Sequence, residues 1–224
     1  MTDEPPTQLP GVTFTGTRLV YLGRGSGTSG DPSHNPDQQN EVGEGPEDGG
    51  SSPTQEEVDA ENERQKECAA QKFKLELDTK TDKDEKEYFS YTWDQAGQTT
   101  THPIRGGSSA VIQTPDRTAA RSEFGISNSD VLAFNHNHPA DVYCPDSGLT
   151  GQDQLRANAY PSESDWAFAH DAVLNRGVPS TLTLYISDCE GNVRGFDYSD
   201  MQRWKDAKTR NDRPPMPITP DCPE

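Results

Sequence analysis

His136 and His138 stand two positions apart in the segment NHNHP. On an extended chain, side chains two apart point the same way, so both imidazoles can reach one metal ion from a strand end. The pair alone is weak evidence, because paired histidines without a metal are common on surfaces and in cores. The segment PSESD adds a carboxylate. Asp165 in the first turn of a helix projects from its N-terminal end, and a third ligand there would give two histidines, one aspartate and an open position for water. Ser162 and Asp165 also read as an ordinary helix cap.

A rival carboxylate lies closer in sequence. Thr150-Gly-Gln-Asp153 is nearer to His138 than Ser162-Glu-Ser-Asp165, but it sits in Gly- and Asp-rich sequence with no apolar periodicity behind it. PSESDWAFAHDAV begins a credible helix and is preferred. His170 would point away from Asp165 on that helix and reads as a surface residue, while His34 and His102 have no supporting ligand nearby in sequence. Trp93, Trp166 and Trp204 read as packing residues.

The elements that must position these groups can be read along the chain. Gly11 to Leu22 has the β-branched and aromatic content of a strand or hairpin, an N-terminal docking segment within residues 1–23. Between Gly23 and Glu57 the only aliphatic residue is Val42, so residues 24–57 read as a disordered acidic Gly/Ser/Pro linker. Thr54 followed by Glu57 fits a capping box and predicts a helix to about Gln71, after which Phe73, Leu75 and Leu77 alternate as a half-exposed strand. Tyr88 to Trp93 and Gln98 to Thr101 predict a hairpin. Ser108 to Thr114 reads as a strand and Thr118 to Glu123 as a short helix. Asp130 to Asn135 is a buried strand running into His136. Tyr143 to Tyr160 is a long insertion, rimmed by Asp141, Asp146 and Asp153, that reads as a lid or selecting loop. Glu163 to Asn175 is a helix capped by Ser162, with Trp166, Phe168, Ala169, Val173 and Leu174 largely on one face. Ser180 to Ser187 and Asn192 to Tyr198 are strands joined by a turn. A proline-rich tail, residues 206–224, docks loosely or not at all. One mixed α/β domain over residues 58–205 results.

This order of features resembles the JAMM metallopeptidase motif of the JAB/MPN family, and is closest to bacterial JAB-like domains of secreted or toxin-like proteins. The likeness rests on HxHP, a loop, SxxD at a helix start and then strand, turn, strand, and covers roughly residues 72–198. It implies an α+β fold of the MPN or cytidine-deaminase-like type, a mixed β-sheet flanked by helices. It implies Zn2+ held by His136, His138 and Asp165, with Ser162 supporting the scissile carbonyl or its oxyanion. A glutamate on an earlier strand manages the water proton in that family. Glu87 sits where the family places it, with Glu85 as runner-up and Glu76 a distant third; Glu123 lies too close to His136. The 24 positions from His138 to Ser162 exceed the usual spacing, so the Tyr143–Tyr160 loop counts as an insertion.

Composition bounds the function. The chain has 224 residues, 29% of them hydrophobic, and 20 Lys+Arg against 38 Asp+Glu give a net charge of −18, with the charge denser in the N-terminal region. Without a basic stripe, nucleic acid and anionic membrane are disfavoured, and a protein or peptide substrate is expected. No apolar run approaches the ~20 residues of a membrane-spanning helix, and the acidic start lacks the pattern of a signal peptide. Cytoplasmic synthesis with signal-peptide-independent export, as for a delivered effector or toxin with a carrier or cognate inhibitor, fits that pattern. Four cysteines form no CxxC pair, which argues against a structural zinc knuckle; they are thiols or one or two disulfides, with Cys144 to Cys189 one pairing that would pin the long loop. The absence of PCxxC excludes a cytidine deaminase. Phosphoesterase or amidohydrolase sites need further ligands that five histidines do not supply. The expected activity is hydrolysis of a peptide or isopeptide bond; the alternative is a catalytically incomplete MPN-like module that docks a protein partner.

Overall fold

Four helices flank a six-stranded mixed sheet in this computed structural model, which describes residues 54–108, 111–143, 158–210 and 212–222. The expected N-terminal docking segment and most of the linker lie outside those residues, as do Asp146, Thr150 and Asp153.

Helix α1, Gln55–Leu77, begins as expected: Thr54 Oγ1 accepts from the Glu57 N–H, and the Glu57 carboxylate accepts from the Thr54 N–H at 2.7 Å. It runs six residues beyond the predicted end, so the strand expected over Phe73, Leu75 and Leu77 does not form. Phe73 and Leu77 are four apart and satisfy the helical period equally well, facing Tyr88 and Ile104, while Leu75 points to solvent. An alternating triplet is compatible with both periods, and the good helix formers between them decide it.

Strands β1 (Tyr88–Gln95) and β2 (Gln98–Thr101) form the predicted hairpin. Its two-residue turn places Ala96 at φ 53° and Gly97 at φ 90°, the positive angles that match the twist of the flanking strands. The short β3 (Arg105–Gly106) pairs with the start of β1. Among the described residues of 108–114 there is no strand: Val111 is exposed, residues 109 and 110 lie outside the described residues, and the helix expected at 118–123 begins earlier, as α2 (Thr114–Phe124). Pro115 in its first turn and Gly125 in the left-handed region just after it mark those ends.

Strand β4, Val131–Asn137, lies at the centre in the order β2-β1-β4-β5-β6. It pairs antiparallel with β1 and parallel with β5 (Thr183–Ser187), the crossover carrying α3 (Glu163–Arg176); β6 (Val193–Asp197) closes the sheet. The main core, with Phe89, Phe134, Trp166, Leu184 and Phe196, fills the sheet face under α2, α3 and α4 (Met201–Arg210). Helix α1 covers the opposite face over Ala133, Tyr185 and Val193. On α3, Trp166 and Ala169 are buried as predicted, but Leu174 is 63% exposed and Ala172 takes the inward position.

The C-terminal segment is firmly attached, unlike the loose tail expected. Helix α4 continues past the anticipated boundary at 205, and beyond it the Ile218 N–H donates to Val193 O on edge strand β6 while Arg194 donates to Pro215 O. A disulfide joins Cys68 on α1 to Cys222, closing 154 positions of chain. Proline-rich sequence makes few hydrogen bonds of its own, so the docking comes from groups on α1 and β6 that sequence reading does not pair with it. Cys189 is also disulfide-bonded, and Cys144 lies outside the described residues. No helix among the described residues is long and apolar enough to cross a membrane.

Candidate metal centre

Alternation along β4 builds the first half of the site. Phe134 and His136 face the main core, and His136 pairs in register with Phe89 of β1. His138, one residue past the strand, is held by its N–H, which donates to Ser187 O at the end of β5. The imidazole centroids lie 5.2 Å apart, and both rings are almost wholly buried.

Helix α3 supplies the other half from its first turn. Asp165 Oδ2 lies 3.4 Å from His136 Nε2 and 3.6 Å from His138 Nε2, and the three ligand atoms fall within 4.8 Å of one another. The edge of a tetrahedron with metal–ligand bonds of about 2.1 Å is about 3.4 Å, so two of the three separations already match four-coordinate binding. Among the described residues, neither ring nitrogen of His136 has a hydrogen-bond partner, although both are buried. Buried imidazole nitrogens are normally satisfied, and two nitrogens with one carboxylate oxygen form a donor set suited to a divalent first-row ion. The residues present therefore fit a metal.

The surroundings orient these groups. His138 Nδ1 lies 2.9 Å from Asn158 O, which assigns the ring proton to Nδ1 and leaves Nε2 as the lone pair. Asn158 is in turn fixed by the Cys189 N–H, which donates to its Oδ1 at 2.9 Å. Sequence reading missed Asn158, because the bond uses a backbone carbonyl that any residue carries. The Ser162 hydroxyl donates to Asp165 Oδ2 at 2.7 Å, the Ser162 N–H donates to the same oxygen at 2.7 Å, and the Asp165 N–H returns a bond to Ser162 Oγ. The helix-cap and metal-ligand readings of PSESD are thus realised by one pair of side chains.

Electrostatics follow from the burial. For Asp165, burial opposes ionisation, but the two imidazoles outweigh it and hold the carboxyl well below its ordinary range. For His136, burial disfavours the charged ring, yet Asp165 and then Glu87 raise its pKa above the usual value. A buried carboxylate flanked by two histidines demands a cation, either a proton on an imidazole or a metal ion.

The remaining expected residues separate clearly. Glu87 is buried at the head of β1, and its Oε2 accepts from the Ile112 N–H at 2.8 Å. It lies on the β1 side of the histidines and close enough for its charge to act on His136. Glu85 is exposed; Glu76 sits on α1, across the sheet, with its carboxylate against the Ile104 N–H; Glu123 is exposed and pairs with Arg105. His102 is structural: its Nε2 accepts from the Tyr91 N–H, its Nδ1 donates to Pro103 O, and burial pushes its pKa down to about 4. His170 is exposed and meets the Tyr198 hydroxyl. No family model matches the chain, and no curated protein or solved structure is significantly similar to it.

Proposed function

We propose that this domain is a zinc-dependent metalloprotease or isopeptidase of the JAMM type. The observation that carries the reading is the convergence of His136, His138 and Asp165 from a strand end and a helix start, with both separations from Asp165 fitting tetrahedral binding and Glu87 on the β1 side. Zinc held by these residues lowers the pKa of a coordinated water towards ~7 and polarises a carbonyl.

The chain's own groups take the other roles. Ile112 N–H fixes one oxygen of Glu87, leaving the other to accept a proton from the attacking water and deliver it to the leaving nitrogen. Ser162 Oγ, now donating to Asp165, turns from that carboxylate to the substrate oxygen as charge develops there. Asn158 O keeps His138 in the tautomer that presents Nε2. The Cys68–Cys222 disulfide favours action in an oxidising compartment, in line with a delivered protein.

One observation favours a second reading, a catalytically incomplete module that docks a protein partner: both carboxylates already serve local structure, Glu87 at Ile112 and Asp165 at Ser162. Cleavage of a peptide and isopeptide library by the zinc-loaded chain, followed by mass spectrometry, separates the two. The hydrolase reading expects products, with Glu87→Gln retaining zinc but losing at least about 100-fold in rate. Zinc uptake without any product supports the docking module, and full activity in Glu87→Gln removes that residue as the base.

A further inference from the structure

Arg117, on α2, is a cation beside the candidate site that the roles above leave unused. Its Nη1 donates to Ile112 O at 3.3 Å, and the N–H of the same residue donates to Glu87. Its guanidinium carbon stands 4.4 Å from the centroid of the Phe168 ring, and Phe168 follows Asp165 by three residues on α3. The group is thereby fixed at two points, one leading to each carboxylate of the site. Stacking on an aromatic face holds a guanidinium while leaving its N–H edge open.

Among the described residues Arg117 has no carboxylate partner, as is also true of Arg121 on the same helix, which bonds to Asn128 instead. Arg105 pairs with Glu123, Arg176 with Asp171 and Arg194 with Asp188, whereas Arg117 forms no ion pair among the described residues. Among the described residues, one of its five N–H groups is engaged, by the Ile112 carbonyl. Burial lowers its pKa against the pull of Tyr91, Asp165 and Glu87, so it lies within range of both site carboxylates without being bonded to either. A half-buried guanidinium in a chain of net charge −18 has ample acidic groups to pair with, and this one is held apart from them.

We infer that Arg117 is a specificity residue that takes a carboxylate of the substrate close to the scissile bond, by a charge-assisted, fork-shaped pair of hydrogen bonds. The inference rests on the hydrolase reading and narrows its substrates to peptides carrying such a carboxylate, either a free chain terminus or an acidic side chain. The guanidinium binds and orients that group and takes no part in proton transfer.

Calorimetric titration of the zinc-loaded full chain with three peptide hydroxamates tests this without turnover. One is neutral and amidated, one has a free C-terminal carboxylate, and one is amidated with a single acidic side chain. At least one carboxylate is expected to tighten binding about 10- to 100-fold over the neutral compound, and the tighter of the two identifies the source. Arg117→Gln should bind all three with about equal affinity at unchanged zinc stoichiometry, and Arg117→Lys should recover part of the gain. Equal binding of all three by the wild type, or a uniform loss in Arg117→Gln, overturns the assignment while leaving the zinc reading intact. Failure of even the neutral hydroxamate to bind sinks both.

Discussion

The two faces of β4 carry polar residues in strict alternation, and they treat them differently. Towards α1, Asn135 Nδ2 donates to Ser90 and Thr92, and Asn137 accepts the Tyr88 N–H while donating to Lys83 O and Lys86 O. Towards α3, His136 is equally buried, yet neither of its ring nitrogens has a hydrogen-bond partner among the described residues. On the α1 side, among the described residues, Asn135 Oδ1 and, on the neighbouring β5, Ser187 Oγ are the unpartnered atoms that blur the contrast. Burial alone does not mark a functional residue. What separates the faces is whether the buried polar atoms are consumed by the fold or left for something else.

The largest effect that would break this comparison is on metal affinity. His136→Ala or Asp165→Ala should weaken zinc binding by more than about 100-fold, measured by competition with a chromophoric chelator, because removing a ligand costs more than removing its supporting partner. Retained affinity in either variant would place the metal elsewhere. The α1 face should answer in stability. Cys68→Ala combined with Cys222→Ala opens a crosslink spanning 154 positions and should cost about 4 kcal/mol in chemical denaturation, with zinc affinity nearly unchanged. Asn137→Ala strands one backbone N–H and two carbonyls and should cost about 3 kcal/mol, again with zinc retained.

The pH dependence of stability sharpens the same contrast. In the metal-free protein, His136 has a raised pKa, so its contribution is fully present below the unfolded value of 6.5 and is lost as pH rises through the folded one. The depressed pKa of Asp165 contributes stability above its unfolded value of 3.8, lost as pH falls through the folded value. Metal-free melting temperatures should therefore peak between those limits and decline towards alkaline pH. Added zinc should reverse the alkaline decline, because metal binding displaces the proton from His136. Parallel profiles with and without zinc would contradict the assignment. The smallest effect concerns the cap: Ser162→Ala should lower stability by about 1 kcal/mol, and a larger loss in cleavage than in stability would separate catalysis from capping.

The sequence made much of this legible, for local reasons. The convergence of His136 and His138 is legible because strand alternation puts both rings on one face, and the helix start at Ser162 because a capping box specifies it. The end of the first helix, 72–77, and the irregular segment around Val111 and Ile112 differ from the strands that the sequence suggests, because short apolar runs satisfy more than one period. Arg117, the Asn158 carbonyl and the Cys68–Cys222 bridge are long-range facts. Each depends on which elements the fold brings together, and no local pattern encodes that.

Metal content tests the central claim most directly. Elemental analysis of the folded chain after zinc loading and removal of excess should give one zinc per chain in the wild type and in Asn137→Ala, and close to none in His136→Ala. A wild type that holds no zinc, or a His136→Ala variant that holds as much as the wild type, would contradict the account.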